Sequence, residues 1–300
     1  MRVFVTGATG VLGRSAVAAL VRDGHEVSGL ARCDDKARTL ETLGATPVLI
    51  HLFDEEGLAT AMTGFDAVCN LVTHVPTGMS AMRPGAWKVN DRLRTDGSRL
   101  VSRAAREAGV GHLVQESVSF MYADAGDDWI TESSPLAVTR AVEPAVIAET
   151  NACEFSRDQR RPVILRFGHF VGDDPMTRWR LAQARAGRPI GLGQPGGWAH
   201  VVHPDDAGSA VAAAVHAPGD VYNVGAEPVT REDVTQVFAH VVGRSDLRFM
   251  PRLMVRMAGE RFEPLTRSHR VSSAKLHETT GWKPVHHAFD QAWLSDLMTA

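Results

Sequence analysis

The chain has few cysteines, no excess of basic residues and no long apolar run. Its three cysteines, Cys33, Cys69 and Cys153, are scattered and form no CxxC pair, so neither a disulfide framework nor a zinc site is indicated. Lys and Arg number 32 against 35 Asp and Glu, whereas a nucleic-acid-binding protein usually shows a basic excess. No apolar stretch approaches the ~18 residues of a membrane span. We therefore expect a cytoplasmic protein with no nucleic-acid, membrane or metal partner.

The first 120 residues alternate between short β-type runs and longer helical stretches. The predicted strands cover 2–6, 26–31, 46–52, 66–72 and 112–117. The predicted helices cover 12–23, 35–43, 55–63 and 91–108. This alternation with short connections is typical of βαβ units and predicts an α/β fold with a doubly wound parallel sheet.

The order loosens after a sixth predicted strand at 162–167, which follows a helix near 140–157. A strand is predicted near 220–224, and further helices are predicted near 205–216, 230–242, 250–259 and 287–298. We expect a core over 1–165 and a smaller C-terminal lobe over 166–300, of which about 200–225 returns to the core.

A glycine motif, TGATGVLG at residues 6–13, closes the first strand and opens the first helix. Gly7 permits a tight turn, Gly10 lets a pyrophosphate approach the backbone, and Gly13 lets the helix pack close to the strand. The helix N-terminus offers free N–H groups and a favourable dipole to phosphates. In this strand–helix context the motif predicts a Rossmann-like dinucleotide site.

The end of the second strand indicates which dinucleotide binds. A site for NAD usually places an acidic residue there, but this chain places Arg32, which could meet a 2′-phosphate. We predict NADP(H), with NAD(H) as the alternative, because Asp34 and Asp35 lie just beyond and because Arg32 could be an ordinary exposed arginine. The predicted cofactor site comprises Gly7, Thr9, Gly10, Val11, Leu12, Gly13, Arg32, His51, Leu52, Leu71, Val72, Thr73, Asn90 and Phe167.

These motifs together resemble the short-chain dehydrogenase/reductase superfamily, in particular its extended branch of NAD-dependent epimerases and dehydratases. The resemblance runs almost end to end. Besides the glycine motif it includes Trp87–Asn90, Ala104–Val110, Leu165–Gly168 with Gly172, His203–Ala207, Tyr222–Gly225 and Gly281–Pro284. It implies the same doubly wound fold, with the C-terminal lobe covering the substrate.

The chain departs from this family in its catalytic residues. The family reaction uses a Tyr-x-x-x-Lys pair, in which the lysine lowers the pKa of the tyrosine that exchanges a proton with substrate. The chain has only two tyrosines, and neither is followed by a lysine four residues later. Alignment on Glu149 places Ala141 at the tyrosine and Ala145 at the lysine, with Pro144 between them, where it would disturb a helix interior.

The serine of the family is uncertain as well. The usual position, counted back from Tyr122, falls on Val118, which is flanked by Ser117 and Ser119. Of the four family residues, only Asn90 remains.

Other side chains at strand ends could replace the tyrosine. Ser117 ends one predicted strand, and His74 and His169 follow two others, all at the carboxyl edge where α/β sites form. The pKa of histidine suits proton exchange near neutrality. However, the chain has thirteen histidines, so finding two of them at strand ends is close to what chance would give. The predicted substrate-contacting residues are Phe120, Tyr122, Phe170 and Trp198, although each could simply be a packing residue. Diphosphate anchors for a nucleotide sugar could come from Arg178, Arg180 and Arg185, unless these are solvated helix arginines.

Two interpretations of the function of this small-molecule site follow. Neither of them determines the oligomeric state. The first is NADPH-dependent reduction of a ketone on a small apolar, aromatic polyketide-like molecule, with the proton taken from water or from the substrate. Some ketoreductases of aromatic polyketide pathways are similar in lacking the tyrosine, which suggests a place in antibiotic biosynthesis. The second is a non-catalytic NADP-binding sensor. Epimerisation or dehydration of a nucleotide sugar is disfavoured, because those reactions need a base where Ala141 stands.

Overall fold

The computed structural model describes residues 1–156, 161–245, 248–251, 253, 255, 260–295 and 297. Its strands are β1 Arg2–Thr6, β2 Glu26–Ala31, β3 Thr46–Leu49, β4 Ala67–Asn70, β5 His112–Val118, β6 Trp129–Ile130, β7 Val163–Phe167, β8 His169–Phe170, β9 Trp198–Ala199, β10 Val201–Val202, β11 Val221–Val224, β12 Val229–Thr230 and β13 Arg270–Val271. Its helices are α1 Val11–Arg22, α2 Asp34–Thr42, α3 Glu55–Met62, α4 Lys88–Arg92, α5 Ser98–Glu107, α6 Glu143–Cys153, α7 Pro175–Arg185, α8 Pro204–Ala214, α9 Arg231–Val241, α10 Ala274–Thr280 and α11 Ala292–Ser295.

Seven parallel strands form the central sheet in the order β3-β2-β1-β4-β5-β7-β11. The chain runs outward in one direction from β1 to β3 and then crosses to β4 on the other side of β1. This reversal opens a crevice beyond the carboxyl ends of β1 and β4, where ligands of such sheets bind. The predicted α/β class and doubly wound sheet are confirmed.

Helices cover both faces of the sheet because its strands are apolar on both sides. In β1, Val3 and Val5 belong to the core on one face, whereas Phe4 belongs to the core on the other. A third apolar cluster, which includes Val171, Leu181 and Phe238, lies in the C-terminal part of the chain. The strand β11 pairs with β7, so the segment before residue 225 returns to the sheet.

Several predicted helix boundaries move for identifiable reasons. The helix near 140–157 begins at Glu143 with Pro144 in its first turn, where a missing N–H costs nothing, so the proline starts the helix and does not disrupt it. The stretch predicted as one helix over 91–108 contains a π-helical turn at Leu93–Gly97 between α4 and α5. Among the described residues of 287–298, the α-helix covers Ala292–Ser295. Most of the predicted helix at 250–259 lies outside the described residues.

Among the described residues, no helix is both long enough and apolar enough to span a membrane.

Candidate functional site

The glycine loop closes tightly between β1 and α1. Gly7 has a φ of 71°, and a Cβ on it would lie 2.6 Å from the backbone of Leu71. A Cβ on Gly13 would lie 2.1 Å from the carbonyl oxygen of Gly7, so only glycine permits this approach of helix to strand. Gly10 is the N-cap residue of α1, and no side chain caps this end of the helix. Because the first N–H groups of a helix have no acceptor within the helix, those of α1 are available to a ligand. This cradle of N–H groups fits a dinucleotide pyrophosphate.

The loop that leaves β4 forms the neighbouring wall of the cradle. Leu71 N donates to Thr6 O at 3.2 Å, which holds the loop against β1. His74 N donates to Oδ1 of the buried Asn90 at 3.1 Å. Asn90 therefore fixes this loop, on which three predicted cofactor residues lie: Leu71, Val72 and Thr73.

The predicted cofactor residues on the neighbouring strands differ in exposure. Arg32 is exposed where β2 ends, and the described residues provide no ion pair for it, whereas Asp35 pairs with Arg38. In the loop after β3 the His51 side chain is exposed, but Leu52 is buried in the core. The Phe167 ring is likewise buried in the core at the end of β7. Leu52 and Phe167 can therefore offer little more than backbone to a cofactor.

The positions at which the family carries its proton-exchanging residues are apolar in this chain. We call the three residues that occupy them, Val118, Ala141 and Ala145, the apolar wall. Val118 and Ala145 are buried in one hydrophobic cluster with Met121 and Val142. Ala141 is partly buried against this cluster, in the turn before α6. None of the three positions aligned with the family serine, tyrosine and lysine offers a proton, because Val118, Ala141 and Ala145 occupy them.

Ser117 and Tyr122 belong to a buried polar network and not to the cleft. Ser117 Oγ donates to Glu149 Oε1 at 2.6 Å, and Arg166 binds both oxygens of that carboxylate at 2.8 and 2.7 Å. Arg166 also donates to the Tyr122 hydroxyl at 2.9 Å, which donates to Asn223 Oδ1 at 2.8 Å. Both Ser117 and Tyr122 are fully buried. The hydroxyl of Ser117 is therefore withdrawn from proton exchange, and Tyr122 does not line a substrate pocket, contrary to what the sequence predicts.

Three histidines from separate segments meet at the carboxyl end of β7. His169 N donates to His200 O at 2.8 Å, and His269 N donates to the carbonyl of the neighbouring Trp198 at 3.0 Å. Burial lowers the pKa of His169 and of His200 to about 3, and that of His269 to about 4. All three rings are neutral near pH 7, so His169 cannot serve there as an imidazolium proton donor. His74 is exposed, and it is the backbone N–H of this residue that donates to Asn90.

The predicted aromatic contacts separate into two groups. Phe120 stacks on His169 with ring centroids 4.9 Å apart and an interplanar angle of 3°, and it also packs against the apolar cluster around Val118. Phe170 is partly buried against the main core. Trp198 borders the histidine cluster through its backbone, whereas its Nε1 donates to Asp127 Oδ1 at 2.9 Å. The Phe120–His169 stack extends the apolar wall and gives it a flat face suited to an aromatic ring.

One group of described side chains has metal-ligand composition but a structural role. The His203 and His286 rings stack with centroids 3.8 Å apart beside Asp206. The Asp206 carboxylate already accepts hydrogen bonds from the backbone N–H groups of Val285 and His286 and pairs with the His286 ring. These contacts tie α8 to the segment that follows α10.

The sequence profile of the NAD(P)H-binding family matches residues 7–189. The chain belongs to this NAD(P)H-binding family. The chain is similar to a Streptomyces protein named 3-diazoavenalumate denitrifying reductase, which is 31% identical over 303 residues and is matched over 95% of this chain and 97% of its own length. A ketoreductase of Stigmatella aurantiaca, which acts on 4-hydroxy-2-methyl-3-oxo-4-farnesyl-3,4-dihydroquinoline-1-oxide, is 36% identical over 124 residues, covering 41% of this chain and 35% of that protein.

Solved structures agree with the family assignment at the level of the fold. The human epimerase family protein SDR39U1 with NADPH superimposes with a TM-score of 0.79 at 20% identity, over 100% of this chain and 99% of that one. The doubly wound fold that the resemblance to extended short-chain dehydrogenases implies is thereby confirmed. The family match and the names of the relatives together indicate that this chain is an NAD(P)H-binding protein of the reductase type.

Sequence reasoning missed two features of the region beyond the carboxyl end of β7. The histidine cluster could not be recognised, because His169, His200 and His269 are far apart in the chain and no spacing rule connects them. Arg231 gave no signal either, since it reads as an ordinary residue at a helix start. Arg180 was noticed, but only as one of several helix arginines.

Proposed function

We propose that this protein is an NADPH-dependent reductase of a small, flat aromatic molecule whose acceptor group takes up hydride without a proton from the protein. The observation that carries the proposal is the apolar wall of Val118, Ala141 and Ala145 beside an intact dinucleotide cradle. Bound NADPH would supply the hydride. The chain's own residues orient the two molecules and exclude water, and orientation alone accounts for a large share of a barrier.

An aryl diazonium group is the acceptor that best suits a site whose aligned relay positions offer no proton. Addition of hydride and loss of N2 convert Ar–N2⁺ into Ar–H, so charge and atoms balance without any proton. No alkoxide develops, so neither an acid nor an oxyanion donor is required. The relative that matches nearly the whole chain is named for the reduction of a diazo compound with loss of nitrogen. Its likeness to this chain supports the same class of reaction here.

A ketone is the second candidate acceptor, favoured by the shorter match to a ketoreductase. Reduction of a ketone leaves an alkoxide that must be protonated, and the three cluster histidines are neutral near pH 7. The proton would then come from water or from a neighbouring hydroxyl of the substrate. On either acceptor, the Phe120–His169 stack provides the flat surface for the ring.

We propose NADPH over NADH as the reductant because of Arg32. Its guanidinium is exposed at the end of β2, with no ion pair among the described side chains, so it is available to a 2′-phosphate. Asp35 does not compete for it, since that carboxylate pairs with Arg38.

Transfer of deuterium tests the proposal. The protein is incubated with NADPH deuterated at the transferable position and with an aryl diazonium salt, an aryl ketone or a quinone in parallel. Mass spectrometry then measures deuterium at the acceptor carbon and any N2 released, against a reaction without protein. Deuterium in the product from the diazonium salt supports the first candidate, and deuterium in the alcohol supports the second. Tight NADPH binding without transfer to any acceptor supports the non-catalytic sensor instead.

A double variant provides the matched control for the missing proton relay. Ala141→Tyr with Ala145→Lys restores the family pair in sequence, but Ala141 precedes α6, so the pair lacks the one-face geometry of a continuous helix. Turnover should therefore change little. A large rise in ketone turnover would show that the protein is an ordinary family member that has lost its tyrosine.

A further inference from the structure

Arg231 has a buried guanidinium nitrogen for which the described part of the chain provides no hydrogen-bond partner. The residue is 8% exposed, and its Nη2 donates to the carbonyl oxygens of Leu265, at 3.3 Å, and of Arg267. Its Nη1 is buried and has no hydrogen-bond partner among the described residues. A buried donor left unpaired costs free energy, so a charged donor in this state indicates a missing acceptor.

Arg180 is a second guanidinium without an anion. It lies on α7 with its Cζ 4.3 Å from the centroid of the Phe238 ring. Among the described residues it has neither a hydrogen bond nor an ion pair, whereas Arg178 on the same helix pairs with Asp173 at 2.8 Å. Burial lowers the pKa of both Arg180 and Arg231 to about 10, which leaves both charged near neutrality.

Asp174 and Asp124, whose charges act on Arg180 and Arg231 respectively, are already engaged by backbone groups. Asp174 Oδ1 accepts from the N–H groups of Met176 and Thr177 at the start of α7, and its other oxygen accepts from the Thr177 hydroxyl. Asp124 accepts from the N–H groups of Gly126 and Ser268. Among the described side chains, neither carboxylate forms an ion pair with a guanidinium.

The two arginines act on the same imidazole. The positive charges of Arg180 and Arg231 both lower the pKa of His169, after burial and the neighbouring His269. His169 therefore lies within electrostatic reach of both, on the flat face that it forms with Phe120. A neutral imidazole can donate one hydrogen bond to an anion without adding a further positive charge.

Resting on the reductase function proposed above, we propose that the substrate is an aromatic carboxylate, and that Arg180 and Nη1 of Arg231 hold its carboxylate beside His169. Arg231 has one free nitrogen, which suits one oxygen of a small anion better than the several oxygens of a diphosphate. The adjoining face is aromatic and apolar, as expected for a ring and not for a sugar. Anchored at this end, the ring would lie along Phe120, with its reacting carbon toward Val118.

Calorimetric binding to the full-length protein without cofactor tests the anchor apart from turnover. The probes are naphthoate, its uncharged amide naphthamide, and inorganic phosphate. Naphthoate should bind at least about tenfold more tightly than naphthamide, and phosphate should compete weakly. Arg180→Met should remove most of this preference, whereas Arg178→Met, two residues away on the exposed face, should keep it. Arg231→Lys retains the charge but loses the planar donor. It should weaken the binding of naphthoate and leave the binding of naphthamide unchanged.

Each outcome decides the proposal. Equal binding of acid and amide, no binding of naphthoate, stronger binding of phosphate, or an unchanged preference in both Arg180→Met and Arg231→Lys would overturn the carboxylate anchor. The wild-type comparison alone is decisive if a variant fails to fold. Failure of the reductase function is distinguishable, because it would leave naphthoate binding intact and abolish only deuterium transfer. Loss of naphthoate preference with deuterium transfer intact would remove the anchor and leave the reductase.

Discussion

Replacing Arg166 by methionine should cost much of the protein's stability. Arg166 donates three hydrogen bonds, two to Glu149 and one to the Tyr122 hydroxyl, at 2.7–2.9 Å. Arg166 and Glu149 are both almost fully buried, at 6% and 8% exposure. Removing one member of a buried pair leaves the other charge uncompensated, which costs about 3–5 kcal/mol. Native domains have only about 5–15 kcal/mol of stability, so the variant should unfold at a much lower urea concentration.

Urea unfolding followed by circular dichroism measures this cost, and two further variants interpret it. Arg166→Met with Glu149→Leu removes both charges and should recover most of the loss, because apolar replacement of a whole buried pair is close to neutral. Ser117→Ala removes only one hydrogen bond to Glu149 and should cost about 1 kcal/mol without changing turnover. A loss below about 1 kcal/mol in Arg166→Met, or a collapse of turnover in a folded Ser117→Ala, would refute the structural role of this network.

Three other outcomes are expected. Gly13→Val should abolish NADPH binding in a fluorescence titration, because its Cβ would lie 2.1 Å from Gly7 O, whereas Ala18→Val on the exposed side of the same helix should bind normally. Arg32→Ala should weaken NADPH binding about tenfold or more and leave NADH binding unchanged, and equal losses for both cofactors would contradict a phosphate contact. Burial lowers the pKa of His200 from 6.5 to about 3, so between these values the unfolded chain binds a proton that the folded chain does not, and stability falls as the pH falls. His200→Asn should reduce the slope of unfolding free energy against pH by about 1.4 kcal/mol per unit near pH 5, and an unchanged slope would rule this out.

The fold could be predicted largely from the sequence because its signals are local. The glycine spacing of residues 7–13 and the alternation of apolar strands with helices each depend on neighbouring residues, and the structure places them as predicted. Pro144 was misjudged for a related reason. A proline excludes a helix interior but suits a first turn, and which of the two applies depends on where the helix begins.

The candidate site was only partly predictable, because contacts across the fold decide which groups are available. Ser117 and Tyr122 carry suitable hydroxyls, but Glu149 and Arg166 engage both of them inside the protein. The pKa of His169 depends on burial and on charges that arrive from other segments, neither of which its neighbours in sequence reveal.

The sequence by itself determined the dinucleotide cradle and the absence of a Tyr-x-x-x-Lys pair, since both are statements about residue types at fixed short spacings. Only the tertiary structure decided that the relay position is an apolar wall, that three distant histidines meet there as neutral rings, and that Arg180 and Arg231 lie near them without an anion among the described side chains. The physical reason is that desolvation and electrostatic interaction depend on distance in space, and folding sets those distances between residues that are far apart in the chain.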